Sequence, residues 1–155
     1  LMWRGRRRHH RQRDERHVIA QGETRKVGMI GLSFKKGTDD LRESPLVSVA
    51  ERLIGKGYDL RIYDPEVNLS RLIGANKRFI EQSIPHIGNL MVGSCEEAVH
   101  HGDTILVGLG GRLIETVLQE ELRARHRVVD VVVIEPRVAG GSRYAAICWW
   151  PVTHG

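Results

Sequence analysis

A chain of 155 residues, 41% of them hydrophobic, can bury one domain's core but is too short for two full doubly wound α/β domains. No uninterrupted apolar run approaches the roughly 18 residues that a membrane helix needs, so no membrane partner is expected. The formal charge of +5 suggests a nucleic-acid partner, but residues 1–17 carry seven arginines against Asp14 and Glu15 and so hold the whole excess. The remaining 17 basic and 17 acidic side chains balance, and no nucleic-acid partner is expected for the folded part.

Residues 1–23 read as a basic, poorly ordered arm with little apolar content. His9 and His10 are adjacent and lack the i,i+4 spacing of a helical metal pair. Cys95 and Cys148 are too few and too far apart for a zinc site or a secreted disulfide framework. No metal is expected, both cysteines read as small buried apolar residues, and a reducing cytoplasm fits best.

The domain proper reads from 24 to 150, with 151–155 as a tail. Val27 to Leu32, punctuated by Gly28 and Gly31, is a short buried strand. A charged loop follows, with Phe34, Lys35, Lys36 and Gly37, then Thr38, Asp39, Asp40, Leu41, Arg42 and Glu43. Ser44-Pro45 is a helix start, the serine capping free N–H groups and the proline occupying the first helical position. An anion would find backbone dipoles and fixed cations here. Adjacent Asp39 and Asp40 read as shaping the loop rather than as an acid/base pair.

Leu46, Val49, Ala50, Leu53 and Ile54 fall on one helical face, stopped by Gly55 and Gly57. Asp59 to Tyr63 is the next strand, completing a right-handed βαβ unit. Asp64, at its end, stands where dinucleotide folds keep a ribose-binding acid. The Gly-x-Gly-x-x-Gly fingerprint is missing, however, so Asp64 reads as capping the turn before Pro65 and no self-contained NAD site is expected.

A helix is expected around Asn76 to Ser83, with a break at Ile84-Pro85, and another from a Ser94 cap through His101. Thr104 to Val107 is a strand. Gly108, Gly110 and Gly111 then lead to a helix with Leu113, Val117 and Leu118 inward, ending near Arg125. Val128 to Ile134 reads as the final strand, apolar enough for the centre of a parallel sheet. Gly140-Gly141 is a turn before Tyr144 to Trp149, and Trp149 and Trp150 are expected against the sheet. The fold class is therefore α/β, a Rossmann-like three-layer single domain with a mostly parallel sheet.

The segment VGMIGLSFKKGTDDLRESP, with LIGKGYDLRIYDPEV, GANKRFIEQSIPHI and AICW in the same order, resembles the C-terminal domain of the UDP-glucose/GDP-mannose 6-dehydrogenase family over roughly residues 25 to 150. The wording is closest to the GDP-mannose branch. The resemblance implies a nucleotide-sugar-binding domain of an enzyme that oxidises the sugar C6 alcohol to a carboxylate in two NAD-dependent steps, serving polysaccharide precursor synthesis. It further implies that this chain is a fragment, inactive alone, since the family's dinucleotide domain and catalytic cysteine lie upstream of the matched part; a homo-oligomer is expected at full length.

Residue by residue, the resemblance makes Lys35 the substrate contact, Phe34 a pocket wall, and Arg42 the arginine that reaches the NAD diphosphate across the domain boundary. The plainer reading of Arg42 is an ion pair with Asp39, Asp40 or Glu43. The chain departs from the family at Gly108 to Arg112 and at Val132 to Arg137. Two alternatives of other classes are a non-catalytic α/β ligand-binding or assembly module and a basic nucleic-acid binder acting through the arm.

Overall fold

Five short strands rich in Val, Ile and Leu pair side by side, all parallel: β1 (Lys26–Ile30), β2 (Asp59–Tyr63), β3 (Thr104–Val107), β4 (Arg127–Asp130) and β5 (Arg143–Ala146). The computed structural model describes residues 25–33, 40–42, 44–69, 72–132 and 143–146. The sheet order is β2-β1-β3-β4-β5. Val27 faces Leu60 on one side and Thr104 on the other, so β1 is the interior strand about which the rest is ordered. Outside β2, Ile62 bridges Met91 in parallel and its carbonyl accepts from Val92 N at 2.8 Å. Counting that bridge as a vestigial strand gives the order 3-2-1-4-5-6 of dinucleotide-binding folds.

Parallel neighbours need long crossovers, and these bring helices to both faces. On one face lies α1 (Pro45–Gly55), with Leu46, Val47, Val49, Ala50 and Leu53 buried. With α2 (Gly74–Ser83) and α3 (Ile87–Leu90) it shares an apolar cluster that takes in Met29, Ile62, Leu106 and Val129. On the other face α4 (Cys95–His101) and α5 (Arg112–Glu121) pack Val99, Ile114 and Leu118 with Ile30, Ile105, Val107 and Val128. Neighbouring strand residues such as Met29 and Ile30 thus serve opposite cores, which is the expected three-layer α/β arrangement.

The differences from expectation lie mostly at element ends. The α1 stripe reaches solvent in its last turn, leaving Ile54 37% exposed while Val47 turns inward. In α5 Leu118 and the half-buried Val117 pack inward as expected, but their partner is Ile114, one turn before Leu118, and not Leu113, which is 84% exposed. That helix ends at Glu121 rather than near Arg125, because Arg123 to His126 forms a turn: His126 N donates to the Arg123 carbonyl at 3.0 Å. β4 stops at Asp130, not Ile134, since the Asp130 side chain accepts from Val132 N at 2.9 Å and bends the chain. Nor is β4 the last strand: β5 follows it, in parallel register.

The arm, the tail, Cys148, Trp149 and Trp150 lie outside the described residues. No helix among those described is long and apolar enough to cross a membrane.

Gly28 is required by packing rather than by a ligand. A Cβ there would run into the Ala98 carbonyl oxygen of α4, which crosses β1 at backbone distance. Gly28→Ala is therefore expected to cost about 1–3 kcal/mol as an overpacked core position. Denaturant unfolding of the variant checks this.

His126, 1% exposed, joins α4 to the turn before β4. Its Nδ1 accepts from Arg123 N at 2.9 Å, which requires the neutral ring, and its Nε2 donates to the Val99 carbonyl at 3.1 Å. Burial first, then Arg125, lowers its pKa from 6.5. A folded value below the unfolded one means that its contribution is complete above pH 6.5 and is lost as pH falls from there through the folded value. Stability measured at pH 8 and at about pH 5.5 should fall more in the wild type than in His126→Gln.

Candidate functional site at the sheet switch point

β1 and β3 lie side by side, yet the chain leaves β1 for α1 on one face and β3 for α5 on the other. Such a switch point at the carboxyl edge is where open α/β sheets bind ligands in the crevice between diverging loops. One side of it, among the described residues, is Gly31, Leu32 and Ser33 after β1. The other is Gly108, Leu109, Gly110 and Gly111 after β3. The two sides meet at their base: Gly31 has φ +97°, and a Cβ on it would come within 2.6 Å of Leu109 Cβ. Gly108 N donates to the Ile30 carbonyl at 2.7 Å, closing the floor.

Asp64 is the buried carboxylate of this edge, 4% exposed. Its Oδ2 accepts from Leu32 N at 2.8 Å, Ser33 N at 2.9 Å and Ser33 Oγ at 3.0 Å. Its Oδ1 accepts from Glu66 N at 2.9 Å, the turn cap expected before Pro65. The sequence reading of Asp64 was right about the turn and missed its longer reach to the end of β1. Both oxygens are engaged, so this acid is not offered to a ribose. With the glycine fingerprint absent as well, the described residues do not fit a self-contained NAD site.

Ser44 caps α1 as expected, its hydroxyl accepting from Leu46 N at 3.2 Å. The same hydroxyl donates to the Leu32 carbonyl at 2.5 Å, tying the helix start back to β1. Between them Leu41 is fully buried, and its N–H donates to Asn76 Oδ1 of α2 at 2.9 Å. Asn76 carried no sequence signal beyond its place in a helix.

Arg42 lies on this connection with its side chain 53% exposed. Its Nε and Nη2 donate to the two Asp40 oxygens at 3.1 and 2.8 Å, and its backbone N–H donates to Asp40 Oδ1 at 3.1 Å. The fork is thus aimed by Asp40, one of the three carboxylates considered. Phe34 and Lys35, with Asp39 and Glu43, lie outside the described residues, so Arg42 is the sequence-predicted site residue that the structure places.

Two further groups bear on chemistry. Asp130, fully buried at the end of β4, accepts from Tyr144 Oη at 2.5 Å; burial, then Asp130, raises the Tyr144 pKa. Cys95 is buried as expected, and burial with Glu96 pushes its thiol up to about 12, so it stays protonated and is no nucleophile. Among the described residues no cluster of His, Cys, Asp and Glu is arranged to hold a metal. Away from the crevice, an apolar groove of about 290 Å³ lies between Leu69, Leu72, Ile80, Ile84 and Ile87.

The model of the UDP-glucose/GDP-mannose dehydrogenase family, UDP binding domain, matches residues 28–136. GDP-mannose 6-dehydrogenase of Pseudomonas aeruginosa is 46% identical over 132 residues, covering 85% of this chain and 30% of that protein. The enzyme of the same name from Azotobacter vinelandii is 42% identical over 133 residues, with the same coverage of 85% and 30%. The chain thus spans about 30% of the length of these relatives.

Among solved structures, a ternary complex of GDP-mannose dehydrogenase from Pseudomonas aeruginosa superposes with a TM-score of 0.68 at 41% identity, covering 88% of this chain and 31% of that one. A UDP-glucose dehydrogenase from Pyrobaculum islandicum shares the fold, with a TM-score of 0.66 at 20% identity, covering 88% of this chain and 29% of that one. The chain belongs to the UDP-glucose/GDP-mannose dehydrogenase family, with residues 28–136 matching the family's UDP binding domain.

Proposed function

We propose that this chain is the nucleotide-sugar-binding domain of an NAD-dependent nucleotide-sugar 6-dehydrogenase, with GDP-mannose as substrate and GDP-mannuronate as product. The observation that carries the reading is that Gly31, Leu32 and Ser33, which open the GLSFKKGTDDLRESP stretch of the sequence, leave β1 at the topological switch point, the place where open α/β sheets bind ligands. The choice of GDP-mannose is supported by the 46% identity to a protein named for that substrate.

In this reading Lys35 supplies an ammonium to the nucleotide sugar and Phe34 walls its pocket. Arg42, aimed by Asp40, extends to the diphosphate of an NAD held by a separate dinucleotide domain. NAD belongs to that other domain because the residues described here do not accommodate it. The product serves polysaccharide precursor synthesis in the cytoplasm, and the full-length enzyme is a homo-oligomer. The alternative, a non-catalytic ligand-binding or assembly module, has no particular observation in its favour.

Calorimetric titration tests the reading. The 155-residue chain should bind GDP-mannose more tightly than UDP-glucose, should not bind NAD, and should form no NADH when given both. Lys35→Ala should weaken GDP-mannose by about ten- to a hundred-fold, the value of one charge-assisted hydrogen bond. Joined to a dinucleotide domain from a relative, Arg42→Ala should instead act on the specificity constant for NAD, and Arg42→Lys should restore it only in part. NADH production by the chain alone, or equal losses toward both ligands with a lowered melting temperature, would contradict the assignment.

A further inference from the structure

The carbonyls in the last turn of a helix have no partner within it, and α4 meets this need partly from outside. Gly102 N donates to the Ala98 carbonyl at 3.2 Å as the chain leaves the helix. The next two carbonyls are taken by side chains from the turn that joins α5 to β4. His126 Nε2 donates to the Val99 carbonyl at 3.1 Å, and Arg125 Nη2 donates to the His100 carbonyl at 3.3 Å. One of these caps carries a permanent charge, and the other can gain one.

His126 also closes its own turn. Its Nδ1 accepts from Arg123 N at 2.9 Å, while His126 N donates to the Arg123 carbonyl at 3.0 Å. The two ring bonds respond differently to a proton. A proton on Nδ1 leaves the Nε2–H bond to Val99 in place and favours it, since the charge then lies at the carboxyl end of α4. The same proton sets Nδ1–H against Arg123 N–H, donor against donor, and that bond is lost.

The surroundings confine the effect to the turn. Arg125, which opposes charge on the ring, and Asp103, which favours it, pair with each other at 2.9 Å. Across α4 and α5, His100 and Glu121 meet at 2.5 Å, a contact that becomes an ion pair when the His100 ring is protonated, so acid does not part the two helices. His101 turns instead to Asp59 of β2. Arg123 Nη1 donates to the Glu120 and Leu122 carbonyls at the end of α5, and Arg127 N donates to the Asp103 carbonyl at 2.8 Å, anchoring the start of β4. Between these anchors Arg123, Ala124 and Arg125 are exposed, and a stretch with little buried surface opens at smaller cost than the sheet.

We propose that the Arg123–His126 turn is a pH-sensitive latch: on taking a proton at Nδ1, His126 keeps its hold on the Val99 carbonyl and releases the Arg123 amide, opening the α5–β4 connection while the sheet stays folded. The latch is closed while the ring is neutral. Because burial lowers the ring's pKa from 6.5, it opens only as pH falls below that value.

A pH titration of the full 155-residue chain from about pH 8 to about pH 5 tests this, read by nitrogen NMR shifts of the ring and by amide hydrogen exchange corrected for the intrinsic rate at each pH. Nε2 should carry hydrogen at both ends of the range, and Nδ1 only at the acid end. Protection at Arg123 should fall about ten-fold over the same range, as for the loss of one neutral hydrogen bond, while Val128 and Val129 in β4 keep theirs. His126→Gln, whose amide can accept from Arg123 N and donate to Val99 without titrating, should hold Arg123 protection level. The wild-type measurement suffices if that variant does not fold.

Unchanged protection at Arg123 once the ring is charged, or loss of β4 protection together with Arg123, would overturn the proposal. So would a ring still neutral when the sheet unfolds, or the same acid loss in His126→Gln. No nucleotide sugar enters the measurement, so its outcome is independent of the functional assignment.

Discussion

Parallel pairing of β1 with β2 on one edge and β3 on the other is the constraint from which the remaining architecture follows. A parallel ladder cannot be closed by a hairpin, so each step costs a crossover, and the crossovers carry helices to both faces. Because the chain departs from β1 toward α1 and from β3 toward α5, the carboxyl edge between these two strands is a topological switch point. Gly28 makes the arrangement compact, since α4 approaches β1 so closely that no side chain fits between them. The glycine content of this strand thus reflects helix packing, where a fingerprint reader would look for a phosphate.

Along the carboxyl edge the molecule uses one device twice. Asp64, the residue just after β2, and Asp130, the last of β4, are each withdrawn from solvent and turned toward donors outside the strand they follow or end. Asp64 takes the backbone at the end of β1, and Asp130 takes the Tyr144 hydroxyl of β5 together with Val132 N. Buried charge of this kind is stable only when its lone pairs are met, and each charge-assisted bond is worth about 1.5–3 kcal/mol. The strand ends, which a hydrophobic core cannot grip, are thereby tied to one another.

The legible part of the fold was the part governed by periodicity. β2 at Asp59–Tyr63 and β3 at Thr104–Val107 were readable residue for residue, the first because Leu60 and Ile62 alternate with Arg61, the second because it is a short apolar run after a turn. The Ser44 and Ser94 caps were readable because a hydroxyl ahead of a helix has one obvious use, and both accept the expected N–H groups. What escaped was decided by tertiary partners. Leu113 and Ile114 are equally apolar neighbours, and only the sheet beneath α5 selects Ile114. β4 looked longer because Val131 and Val132 continue its pattern, whereas the Asp130 side chain ends it.

The site was legible in kind through the wording of one loop, and its supports were not. Asn76 meets Leu41 across 35 positions, and Asp64 meets Leu32 across 32, distances at which no local pattern speaks.

The claim on which this account turns is that the switch-point crevice, and not another part of the surface, receives the nucleotide sugar. The most direct measurement is an amide chemical-shift titration of the isotopically labelled chain with GDP-mannose. The account predicts saturable changes centred on Gly31, Leu32, Ser33, Leu41, Gly108 and Gly111, on both walls of the crevice. Changes centred instead on the apolar groove around Leu72, Ile80 and Ile84, or no saturable change at all, would contradict it.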